Sequence, residues 1–119
     1  MRMRNCIALV VAVAALAACQ TMTESPAETG LRSTHALRQE PHRAAVCVAR
    51  NLDAHPAGFT SRIREGTAPG LIEVHVTRGA PVALVQFVVR DAGSTAAVTT
   101  ATQFDIRRDE FIAAILAGC

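Results

Sequence analysis

Four histidines, four cysteines, twelve basic and ten acidic side chains carry whatever chemistry this 119-residue chain performs. Every basic residue is Arg, and Lys, Trp and Tyr are absent. Schiff-base chemistry, P-loop phosphate binding and base-stacking platforms therefore lose their usual residues. No HExxH, GxSxG or Gly-rich phosphate loop is present. His35 and His42 are seven residues apart without acid or thiol partners, which is a poor metal set. Ser94 falls in a turn with no histidine near it in sequence, so a nucleophile role has little behind it. Asp109 and Glu110 open the last helix, where the helix dipole alone accounts for acids. Arg107-Arg108 is too isolated for a nucleic-acid patch. These residues predict no enzyme, no metal, no cofactor and no nucleic-acid partner.

One constellation depends on how strands align. Phe59, Ser61 and Ile63 alternate with Thr60, Arg62 and Arg64, while Ile72, Val74 and Val76 alternate with Glu73, His75 and Thr77. Each run predicts a strand with one buried and one wet face. Keeping Ile63 and Val74 on the same face places Arg64 across from Glu73 and Arg62 across from His75. Gly79-Ala80 suits a two-residue turn with Gly first. Ala83, Val85, Phe87 and Val89 then face the core, and Val82, Leu84, Gln86 and Val88 the other side. The result is an outer face of Arg62, Arg64, Glu73, His75, Val82, Leu84 and Val88, in which aliphatics rimmed by charge suggest a partner-binding surface. His75 alone, on a sheet surface, is as well explained as a solvated cross-strand residue.

The elements that must hold this face can be predicted too. Pro41 suits a first helical turn, and Ala44, Ala45, Val48 and Leu52 follow at helical spacing up to Asp53-Ala54. Asp91–Ser94 is expected as a turn, and Thr95–Gln103 as a small Thr/Ala/Val strand at a sheet edge, open to strand addition. Arg107–Gly118 should be helical, with Phe111, Ile112, Ile115 and Leu116 as its apolar stripe. The expected architecture for residues 41–119 is α+β, a two-layer sandwich of helix, four-stranded antiparallel meander and helix. Both helices are placed on one sheet face because both need apolar cover.

The amino terminus has a different character. Arg2 and Arg4 precede an uncharged apolar run, and fifteen of the first eighteen residues are apolar. That is the order of a secretory signal, and the run is too short to span a ~30 Å hydrocarbon core. It ends in Leu16-Ala17-Ala18-Cys19, which resembles the lipobox of bacterial lipoproteins. The resemblance implies that residues 1–18 are removed and that Cys19 carries covalent lipid, the one prosthetic addition expected. An uncleaved signal anchor and ordinary cleavage with a free Cys19 are the alternatives. Gln20, where an Asp would imply inner-membrane retention, favours the outer membrane, with the chain facing the periplasm. Residues 19–40, rich in Ser, Thr, Pro, Glu and Gly, are expected as the lipidated cysteine and a flexible tether. Such a tether would hold the domain ~25 Å from the bilayer.

With Cys6 removed and Cys19 lipidated, Cys47 and Cys119 remain as a pair in an oxidising compartment, and a disulfide is expected. A redox-active or metal-binding pair would be the alternative, without CxxC spacing to support it. Cys47-Val-Ala-Arg-Asn51, the Glu73-Val-His-Val76 strand and the terminal Ala117-Gly-Cys119 are similar to segments of short, functionally uncharacterised proteobacterial lipoproteins. That likeness, over roughly residues 44–119, implies a stapled periplasmic domain and brings no activity. The functional expectation is a membrane-anchored, non-catalytic envelope lipoprotein that binds a partner, such as an envelope protein, through its sheet face or edge. The alternative is small-ligand binding or hydrolysis near His75. A concave polar pocket would favour the latter, and a flat apolar face the former.

Overall fold

The computed structural model describes residues 30–102 and 104–119. The expected signal peptide, Cys19 and the first part of the tether lie outside the described residues. The elements run β1 (Leu31–Leu37), α1 (Pro41–Ala54), β2 (Thr60–Glu65), β3 (Ile72–Arg78), β4 (Ala80–Arg90), β5 (Gly93–Thr100) and α2 (Arg108–Leu116). The fold is α+β, as expected, but its antiparallel sheet has five strands rather than four, in the order β1-β5-β4-β3-β2.

The fifth strand is β1, drawn from residues expected in the tether. It pairs with β5 along its whole length, from Leu31 opposite Thr100 to Leu37 opposite Ser94. The reason lies in β5. Ser94, Ala96, Val98 and Thr100 point to one face and Ala97 and Thr99 to the other, and all six are buried. A strand buried on both faces is an interior strand, and its free edge needs a partner to satisfy its amides and carbonyls. The expectation that β5 is an edge is therefore corrected. The edges are β1 and β2.

Helix α1 begins as its sequence predicts. Pro41 occupies its first turn, and the Glu40 carboxylate accepts from the N–H groups of Arg43 (2.8 Å) and His42 (3.2 Å). Ala44, Ala45, Val48 and Leu52 are fully buried. They join a single cluster with Val74, Val85 and Phe87 of the sheet and Phe111, Ile112 and Ile115 of α2. Leu116, expected in the same stripe, is only partly buried. An aromatic group closes one end of this core. Phe104 and Phe59 lie with ring centroids 4.8 and 5.2 Å from Phe111, and His55 is 5.1 Å from Phe59.

The two helices are joined twice. Cys47 and Cys119 form the expected disulfide, with Cα atoms 5.8 Å apart, inside the range such a bond requires. One turn further along α1, Asn51 Nδ2 donates to the carbonyls of Ile115 (2.9 Å) and Ala117 (3.0 Å). These carbonyls belong to the end of α2, where a helix leaves acceptors without partners.

Candidate functional site

The outer face of the sheet is built from three cross-strand rows. Register places Arg64 beside Glu73 and Glu73 beside Gln86; the next row is Arg62, His75 and Leu84. Both alignments follow the predicted pairing of Ile63 with Val74, but the expected two-residue turn at Gly79-Ala80 is corrected: Ala80 already belongs to β4 and pairs with Arg78, so Gly79 alone makes the turn. Past Val76 the register shifts, so that Val76 pairs with Ala83 but Thr77 pairs with Pro81. Val82 is the extra residue of this β-bulge, and it packs half-buried against the core cluster. The third outer row is consequently Thr60, Thr77 and Pro81. Pro81 has no N–H to give, so in a sheet it belongs at a bulge or beyond a neighbour's end. Here both hold, because the β4–β5 ladder begins only at Ala83.

A bulge bends its strand and increases local twist. The three rows line a concavity of about 640 Å³, a size typical of small-molecule pockets. Of the sequence-predicted face, Arg62, Arg64, Glu73, His75 and Leu84 line it. Val82 and Val88 are not among its lining residues. Val88 lies opposite Thr95 further along β4 and is 51% exposed. Leu84 is only 7% exposed, so it serves as floor rather than as a protruding contact. Val89, expected on the core side, is exposed near the end of β4. Thr60, Thr77, Pro81 and Gln86 line the concavity as well, and core-facing Val76 and Ala83 border it. Gln86 was placed on this face by its register, and Pro81 was the available signal for the bulge.

Polar groups in the concavity divide into satisfied and free ones. Glu73 Oε2 accepts from Gln86 Nε2 at 2.8 Å, and Glu73 Oε1 lies 3.3 Å from His75 Nε2. Both carboxylate oxygens are thereby engaged within the sheet. The side chains of Arg62 and Arg64 form no hydrogen bond or ion pair among the described residues. Two guanidinium groups thus stand on one wall against a single carboxylate that already has partners. Chemically, the wall can bind an acid by charge-assisted, planar hydrogen bonding. His75, oriented by Glu73, is the residue a hydrolytic reading would use as a base.

The remaining candidates fall elsewhere. Ser94 is buried and its Oγ donates to the Gln39 carbonyl at 2.8 Å, tying β5 to the start of α1. His35 lies on β1, 2.8 Å from Ser33 Oγ, whereas His42 is in the first turn of α1. Among the described residues no group of three or more His, Cys, Asp and Glu is placed to hold a metal. Arg107 pairs with Glu110 at 3.3 Å across the start of α2, and Arg108 Nε donates to Thr100 Oγ1 at 3.1 Å. His55, unremarked in the sequence, packs among the phenylalanines and accepts from the Ala57 N–H at 3.1 Å. No family model, curated protein or solved structure matches the chain.

Proposed function

We propose that this chain is a lipid-anchored lipoprotein of the bacterial envelope whose folded part is a non-catalytic binding module. Its ligand sits on the concave outer face of the sheet. The anchor rests on Arg2, Arg4, the apolar run and Leu16-Ala17-Ala18-Cys19, and Gln20 favours the outer membrane with the domain facing the periplasm. The Cys47–Cys119 disulfide supports an oxidising compartment. Both helices cover one side of the sheet in this reading, a view supported by their shared cluster with Val74, Val85 and Phe87. That leaves the opposite side available.

The observation that carries the proposal is the convergence of Arg62, Arg64, Glu73, His75 and Leu84 in one concavity. A concave, partly polar site favours a small ligand or a narrow segment of a partner over a broad flat interface. Strand addition at β5 is no part of the proposal, since β1 covers that edge.

One experiment in cells checks anchor and face together. Metabolic labelling with an alkyne fatty acid should tag the wild-type protein and fail on Cys19→Ser. A photo-crosslinking residue at position 60 or 77, both lining the concavity, should yield a mass-shifted adduct, and one at position 53, exposed on α1, should not. Normal acyl labelling of Cys19→Ser defeats the anchor. Adducts that form equally from position 53, or from none of the three, defeat the binding face.

A further inference from the structure

The concavity also indicates the chemistry of its ligand, an inference that rests on the binding reading above. We propose that it takes a small amphiphile with an acidic headgroup, a carboxylate or a phosphate, held by Arg62 and Arg64 with its apolar body laid across β3 and β4.

Charge is the first argument. Register sets Arg64 directly across from Glu73, yet that carboxylate is occupied by Gln86 at 2.8 Å and His75 at 3.3 Å. The cross-strand pair forms no ion pair among the described residues, and both guanidinium groups keep their donors for something else. Alternate residues of one strand point the same way about 6.5 Å apart along it. Two forks at that spacing on β2 can close on one acid group from two sides.

The gradient along the rows is the second argument. The Arg64 row continues into Glu73 and Gln86 and is polar throughout. The Arg62 row passes His75 to reach buried Leu84, and the last row ends on exposed Pro81. From β2 to β4 is two strand spacings, about 10 Å. A ligand that places its acid on β2 therefore meets the apolar patch of Leu84 and Pro81 at about that reach. A free inorganic anion would leave this floor unused, and a neutral apolar ligand would leave two guanidinium groups without partners.

The test uses the full-length protein in a neutral maltoside detergent, titrated with four eight-carbon probes while backbone amides are followed by NMR. Octanoate and octyl phosphate are the acidic arms; octanol and octyltrimethylammonium are the controls. At least one acidic probe should shift the amides of Arg62, His75 and Leu84 saturably, and whichever binds tighter identifies the headgroup. Arg62→Gln with Arg64→Gln should weaken that binding at least tenfold, while the doubly Lys-substituted chain recovers part of it. Equal shifts from octanol overturn the acidic class and leave the binding face standing. Acidic-probe binding that the double Gln variant does not weaken overturns the role of the arginines. Failure of all four probes, alongside a positive crosslink from position 60 in cells, overturns the amphiphile and points to a macromolecular partner. Failure of both experiments overturns the binding face itself.

Discussion

Single residues show most directly how local chemistry decides local structure here. Glu40 caps α1 through its carboxylate, and hydrogen bonding from the Arg43 N–H holds its pKa below the ordinary value of 4.5; the His42 N–H and the charges of His42 and Arg43 add to this. A carboxyl whose pKa falls on folding contributes stability that is complete above its unfolded value and is lost as pH drops through the folded one. Glu40→Gln should therefore lower the melting temperature at neutral pH, and the gap between the two proteins should close once pH falls well below 4.5. A gap that persists unchanged in acid would show that the charge is immaterial. Pro41 and the spacing of Ala44, Ala45, Val48 and Leu52 made this helix legible in the sequence, because caps and 3.6-residue periodicity are local properties. Asn51 was not legible. Its partners are carbonyls more than sixty residues away, and nothing in the residues around it marks a polar side chain for that task.

At the scale of elements, the outcome depended on whether pairing was local. The β2–β3 register followed from matching apolar faces, and the alignments of Arg62 with His75 and Arg64 with Glu73 came with it. Strand β1 was missed because Leu31–Leu37 has polar composition and becomes a strand only through a partner more than fifty residues away. The same omission turned β5 from an interior strand into an expected edge. The Val82 bulge altered the face by a single residue, which suffices to move a side chain to the opposite side of a sheet. Where β1 meets the rest of the sheet, Gly93 opens β5 against the chain leaving β1. A Cβ there would lie 2.2 Å from the Leu37 carbonyl oxygen, a backbone atom that cannot swing aside. Gly93→Ala should destabilise the protein by about 1–3 kcal/mol, the usual cost of overpacking. Denaturant unfolding measures this, and a midpoint equal to wild type would show that the junction yields freely.

For the whole molecule, the thin apolar endowment makes the covalent staple consequential. Small buried side chains such as Ala44, Ala45, Ala83 and Ala96 make up much of the core, and each contributes little area to the hydrophobic term. The disulfide closes a loop with a sequence separation of 72 residues, worth about 4 kcal/mol in the chain-entropy account. Reduction should lower the melting temperature by more than about 10 °C at this domain size. A melting temperature unmoved by reductant, with loss of the bond confirmed by mass, would show that packing alone suffices. Were residues 1–18 removed, as proposed, ten arginines would face ten acids, and any binding selectivity would fall to local arrangement on the outer face rather than to a field over the whole surface.

The position of that staple divides the molecule in a way its layers do not. The ring closed between Cys47 and Cys119 threads β2, β3, β4, β5 and α2. Strand β1 and the first turns of α1 are the only described secondary structure outside it. They are also the part reached first along the chain from the amino terminus. Tension drawn through an anchored amino terminus would therefore load the β1–β5 ladder before any link of the ring. The concave face, built wholly on β2, β3 and β4, would keep its shape while β1 gives way. In mechanical terms β1 would be a fuse between the proposed anchor and the proposed site.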